Sequence, residues 1–284
     1  MRFGYNTNGF AHHRFEDALA ILAELGYRSV AITLDHHVLN PSEPDLPGRV
    51  AETRKLLDQL GLHCVIETGA RFLLDPRRKH QPTLISPRQE ERKHRLEFLE
   101  LAVEIASELN ADAFSFWSGT PVDEMPFSTH MDLLVEGCRR LSEIAAGKKV
   151  RLAFEPEPGM LIDTMVKFRE LHERVGQRNF GLTLDIGHLH CQGDVPIVDH
   201  LRRWKDWLWN VHIEDMRRGV HDHLMFGEGE IDFPPVLHTL KEIGYSGGVH
   251  VELSRHSHDA VNIAKRALAF LAECEGSGRE SIVR

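Results

Sequence analysis

Cysteine is scarce and scattered. Cys64, Cys138, Cys191 and Cys274 lie far apart in 284 residues, with no Cys-x-x-Cys pair. That spacing excludes a zinc knuckle and offers no disulfide framework, so the four read as reduced thiols in a cytoplasmic protein. Long apolar runs are also missing. None approaches the ~18 residues that a membrane span needs, and the opening MRFGYNTNGF lacks the apolar core of a signal peptide. No membrane partner is expected.

Positive charge is in deficit. Lys and Arg number 34 against 43 Asp and Glu, for a formal net charge of -9. Nucleic-acid binders draw affinity from phosphate neutralisation and usually show a basic balance or stripe, so no nucleic acid is expected as a partner. The one basic cluster, residues 77–79 with Arg88, Arg92 and Lys93, is interleaved with Pro and Glu and reads as solvated surface. GYNTNGF is not a GxGxxG phosphate loop, no GxSxG occurs, and no strand end carries a Lys suited to a Schiff base. An open doubly wound sheet, serine-nucleophile chemistry and Schiff-base chemistry are set aside accordingly.

What the chain does have is regular alternation. Short β-type runs are predicted at 2–5, 29–34, 63–67, 113–117, 151–155, 181–185, 210–213 and 248–252. Helical periodicity follows each, at about 14–25, 49–60, 88–109, 129–146, 164–175, 198–207, 234–243 and 259–271. Gly26 and Gly61 mark two of the helix ends. Strands separated by helices imply parallel pairing through right-handed crossovers. Eight such units close into an α/β fold of the (β/α)8 TIM barrel type. One barrel over residues 1–274 and a flexible tail over 275–284 are expected. The connection at 68–87 is too long for an ordinary barrel loop and reads as an active-site cover or an oligomer contact. Trp204, Trp207 and Trp209 read as core on the outside of the barrel.

Four successive strands end on groups able to bind a metal. These are Glu155, Asp185, His212 and Glu252. In a barrel the C-terminal strand ends converge on one face. Three carboxylates aimed into one cavity would repel and raise each other's pKa, and a divalent cation resolves the conflict. Three hard oxygen donors with one imidazole suit Mn2+, Mg2+ or Co2+, with zinc less favoured.

LTLDIGH, FEPEPG, NVHIED, FGEGEIDF and VHVELS together resemble the xylose isomerase-like barrel superfamily. That group includes sugar epimerases, inosose dehydratase and AP endonucleases of the deoxyribonuclease IV type. The resemblance covers nearly the whole chain and is strongest from Arg151 onward. It implies one divalent metal, Mn2+ first, held by Glu155, Asp185, His212 and Glu252. It also implies that Glu155 and Glu252 serve as the acid/base pair, and that His188 and Arg218 contact substrate oxygens. Trp117 is a candidate wall against a sugar ring, and His36 and Glu157 are further candidate substrate contacts. The implied activity is a metal-dependent sugar or keto-sugar isomerase or epimerase, with a small-molecule sugar or cyclitol as substrate. A dehydratase-like or keto-glycoside lyase is the alternative, and a zinc phosphoesterase or AP endonuclease a further one. Homodimers and homotetramers are both common in the group.

His221-Asp222-His223 stands where the endonucleases carry an Asp-x-His that binds an additional zinc. Here His221 and His223 would hold a second metal, touch substrate, or sit at the surface. The full endonuclease site needs two more histidines, after strands three and four. Glu67 and Trp117 occupy those places, which argues against a nuclease.

Overall fold

The computed structural model describes residues 1–69 and 71–277. Eight parallel strands close a barrel in the order β1-β10-β7-β6-β5-β4-β3-β2. They are β1 (Arg2–Asn6), β2 (Ser29–Thr33), β3 (His63–Glu67), β4 (Phe114–Phe116), β5 (Leu152–Phe154), β6 (Phe180–Asp185), β7 (Leu208–Ile213) and β10 (Gly248–Val251). Closure comes from β1 pairing with β10, Arg2 opposite Gly248 and Tyr5 opposite Val251. The outer helices are α1 (Phe15–Leu25), α2 (Leu46–Leu60), α3 (Gln89–Glu108), α4 (Phe127–Lys148), α5 (Met165–Val175), α6 (Ile186–Gln192), α7 (Ile197–Trp204), α8 (Phe233–Glu242) and α9 (Ala260–Ser277). No described helix is long and apolar enough to cross a membrane.

All eight predicted strands and their helices are present, with ends shifted by a few residues. Several described elements, a 3-10 turn at Ser254–Asp259 among them, have no counterpart in the predicted pattern. α6 follows β6 directly, ahead of α7. An antiparallel hairpin, β8 (Asp215–Arg217) with β9 (Val220–Leu224), follows β7. A 3-10 turn, Thr7–Phe10, follows β1. α9 also runs further than expected and takes in residues 275–277 of the predicted tail. The rest of that tail lies outside the described residues.

The apolar core lies between the strands and the helices. Val30, Ile32, Phe114, Phe116, Phe154 and Phe180 are fully buried there, and Phe116 meets Phe154 and Phe180 edge-to-face. The inside of the barrel differs from the usual filling of branched aliphatic side chains. Ser115 Oγ meets Thr183 Oγ1 at 2.8 Å, reaching past β5. Ser29 Oγ meets His250 Nε2 at 2.8 Å, reaching past β1. His250 Nδ1 lies 2.8 Å from Asn210 Oδ1. Asn210 Nδ2 donates to Glu67 Oε1 at 3.1 Å, straight across the barrel. Buried polar groups are tolerated when each finds a partner, and this chain of bonds supplies partners at every step. It is a rigid polar platform directly under the strand ends.

The floor is apolar. Trp209 packs on Val65, Ala113 and Ala153, helped by an irregular register between β6 and β7. Gly181 makes room for it, since a Cβ there would lie 2.8 Å from the indole. Trp209 therefore plugs the barrel from inside, unlike the outer position expected. Trp204 does sit outside, against Phe168 at 4.9 Å.

Candidate metal and substrate site

The barrel mouth brings the four strand-end groups together. Glu155 follows β5, Asp185 ends β6, His212 lies near the end of β7 and Glu252 follows β10. His212 Nδ1 is 3.0 Å from Glu155 Oε1, 3.0 Å from Glu252 Oε2 and 3.9 Å from Asp185 Oδ2. One donor atom from each lies within 4.8 Å of all the others. Glu155, Asp185 and His212 are buried, and Glu252 is half-buried at the opening.

The Asp-x-x-His spacing has a local cause. Asp185 caps α6, its Oδ1 accepting the His188 backbone N–H at 2.7 Å. Capping uses only one oxygen. Oδ2 is buried without a hydrogen-bond partner among the described residues and faces His212. His188 Nδ1 lies 3.2 Å from the Pro156 carbonyl, so it carries the proton and leaves Nε2 toward Asp185 Oδ2, 3.6 Å away.

Electrostatics follow from the crowding. Burial pushes the Glu155 carboxyl up to about 8, against the pull of His212. Burial works to lower His212, but Glu155, Glu67 and Glu252 outweigh it and hold its pKa well above the usual imidazole range. Burial works to raise Glu252 and Asp185, yet the neighbouring histidines win, and both carboxyls end below their ordinary values. Burial pushes His188 down to about 4, so it is neutral near pH 7. The site holds protons where a cation would relieve the same repulsion. An orphaned buried carboxylate oxygen, an imidazole nitrogen facing three carboxylates and a hard donor set all fit a divalent metal.

The cavity above these groups is about 250 Å³, at the small end for ligand sites. Trp117, Glu157, His221 and His223 line it, together with Glu155, His212 and Glu252. The hairpin delivers the two histidines from alternate positions of β9. His221 Nε2 is 3.1 Å from His188 Nε2, and these two with His223 form a second convergent group. Two larger grooves, of about 630 and 610 Å³, run over the outer helices, away from the strand ends.

Arg218 and His36 are not brought to this cavity. Arg218 is exposed in the tight turn between β8 and β9, its backbone N–H held by Glu230 Oε2 at 3.0 Å. His36 is exposed in the bend after β2, its N–H bonded to Asp35 Oδ1. FGEGEIDF proves to be scaffolding. Its Gly227, Gly229 and Ile231 N–H groups donate to the buried Asp215 carboxylate, and a Cβ at Gly229 would lie 2.2 Å from Asp215 Oδ1.

Three residues matter that the sequence reading did not assign. Glu67 Oε1 sits 2.9 Å from His212 Nε2, so His212 donates there and keeps Nδ1 for the carboxylate side. Asn8 Nδ2 donates to Glu252 Oε1 at 2.8 Å. Glu214 is buried beside Asp185, with neither oxygen bonded among the described residues, and burial followed by the Asp185 charge raises its pKa well above the usual carboxylate range. Glu67 was findable, because it ends a strand as the ligands do. Asn8 lies two residues past the end of β1 and Glu214 one past the end of β7, where periodicity gives no signal.

Residues 19–274 match the family described as the xylose isomerase-like TIM barrel. The chain belongs to that family. An inosose isomerase of Halalkalibacterium halodurans is 38% identical over 123 residues, 40% of this chain and 43% of that protein. Five proteins named inosose dehydratase, from Clostridium, Geobacillus and Lacticaseibacillus species, match at 26–30% identity. The matched stretches span about half the length of these curated relatives. Among solved structures, an L-ribulose 3-epimerase superposes with a TM-score of 0.78 at 19% identity, covering 99% of this chain and 96% of that one. The IolI protein with a bound zinc atom gives 0.77 at 17%, covering 98% and 99%. At those identities the structural likeness is one of fold. Within the xylose isomerase-like fold, this chain places its donor groups at the strand ends where the barrel concentrates chemistry.

Proposed function

We propose that this chain is a divalent-metal-dependent isomerase or epimerase of a sugar, keto-sugar or cyclitol. The observation that carries the reading is the convergence of Glu155, Asp185, His212 and Glu252 within 4.8 Å. These four would hold the ion, Mn2+ first, with Mg2+, Co2+ and Zn2+ as alternatives. A bound divalent ion would supply Lewis acidity to a substrate carbonyl and its neighbouring hydroxyl.

The chain's own residues then handle protons. One of Glu155 and Glu252 removes the proton from the carbon beside the carbonyl, and the other returns a proton to that carbon from its opposite side. Without the ion the two groups already differ, Glu155 with its pKa raised and Glu252 with its pKa lowered. Trp117 offers an apolar face to a ring, and His188, neutral, can bond a hydroxyl. The platform beneath holds His212 through Glu67, itself bonded to Asn210.

Incubation in D2O with a panel of ketoses and inososes tests the reading. Deuterium should enter one α-carbon only when metal is present. A panel with no exchange, from protein shown to be metal-loaded, overturns it. The inosose dehydratase relatives favour a second reading, loss of a β-hydroxyl with water as product. An ultraviolet-absorbing enone would mark that outcome.

Glu67 acts here as a positioning residue. Glu67→Gln is expected to weaken metal affinity by about 10- to 100-fold, read by titration calorimetry. An affinity within about twofold of wild type would remove Glu67 from that role. An additional ion at His188, His221 and His223 belongs to the same proposal. Counting metal by mass spectrometry separates one ion per chain from two, and His221→Ala with His223→Ala should remove only the second.

A further inference from the structure

The long connection after β3 brings three basic side chains to the cavity wall: Arg71, Lys79 and His80. Arg77, on the same connection, does not line the cavity, and two further neighbours are neutralised. Arg78 is bonded to Asp75 and Glu91, and Arg88 to Glu91. The remaining cation at the cavity, Arg255, is paired with Asp222. Arg71 and Lys79 differ, because among the described residues neither side chain has a carboxylate or hydrogen-bond partner. The ring of His80 is partly buried with Nδ1 unbonded, edge-on to Trp117 at 5.2 Å. Behind the same indole lies Arg95, 1% exposed, its guanidinium 4.4 Å from the ring centroid and both terminal nitrogens without partners.

Charge is therefore segregated across one small cavity. The carboxylates lie at the strand ends and the unpaired cations lie on the connection. Arg95 is the most telling member, since a buried charge without a counter-ion is costly. The positive field is felt locally: burial first, then Lys79, Arg95 and Arg71, pushes His80 down to about 4. All this sits in a chain of net charge -9, so the wall is not a general excess of base.

We propose that the ligand carries an anionic group, a carboxylate or a phosphate ester, seated against Arg71, Lys79 and His80. Its reacting carbon then faces the carboxylates. Arg71 supplies a fork of donors for such a group and Lys79 a mobile point charge. Neutral His80 supplies one hydrogen bond. The inference rests on the proposed metal site for its orientation but not for its existence.

Binding of fructose, fructose 6-phosphate and fructuronate to the Mn2+-loaded protein, followed by calorimetry, tests it. At least one anion should bind roughly tenfold or more tighter than fructose. The doubly substituted Arg71→Gln, Lys79→Gln protein should lose that preference and keep its affinity for fructose. Preference for the phosphate alone or the carboxylate alone identifies the group. Equal binding of all three overturns the inference. So does a preference that survives in the double variant, the signature of an anion bound by the metal instead. Solvent deuterium exchange on the same compounds separates the two readings. Anion preference without exchange sinks the isomerase reading alone, and exchange without preference sinks this one alone.

Discussion

Glu252→Gln is expected to lower metal-dependent deuterium exchange by about 10²- to 10⁴-fold, the usual contribution of a positioned acid or base. Gln keeps the size of Glu and can still accept from Asn8, which now holds Oε1 at 2.8 Å. It cannot take a proton from carbon. The fold should persist, because the barrel closes through backbone pairing of β1 with β10 and not through this side chain. Glu155→Gln should cost a similar factor. The double variant should fall little below either single, because residues that act as a unit are not additive. Exchange rates within about tenfold of wild type in both single variants would separate these carboxylates from the chemistry.

The second large effect concerns pH. Without metal, Glu155 titrates near 8 and His212 well above its usual range. Both must lose protons to act as ligands. Protons therefore compete with the ion, and raising the pH removes the competitor. Metal affinity should climb between about pH 6 and 8, and binding at pH 7 should release on the order of one to two protons. Calorimetry in two buffers of different ionisation enthalpy measures that release directly. Asp185→Ala should abolish it by deleting the unpartnered oxygen. Binding with no proton release, or release that persists in the Asp185 variant, would place the ion elsewhere.

The barrel was legible from the sequence because its two periodicities are strong and its strands are short and β-branched or aromatic. The four ligand candidates were legible for a geometric reason: in a parallel barrel, every strand end opens on one face. What stayed hidden depends on contacts between distant segments. Glu67 and His212 are 145 positions apart, and only the closed barrel brings them together. The inward placement of Trp209 needed a register irregularity and the missing side chain of Gly181. The hairpin of β8 and β9 carries mixed polar residues with no clean alternation, so periodicity gives it no strand signal. Arg218 is a candidate through the resemblance alone, and the hairpin turn takes it outward.

The cross-barrel chain from Ser29 through His250 and Asn210 to Glu67 and His212 draws on four strands, the last of them nearly the end of the barrel. Before β10 docks, His250 is absent and Glu252 has not joined the other carboxylates. A nascent or truncated chain thus has no assembled centre to load. Metallation is expected to be a late event in the life of the molecule, a seal on finished folding instead of a seed for it.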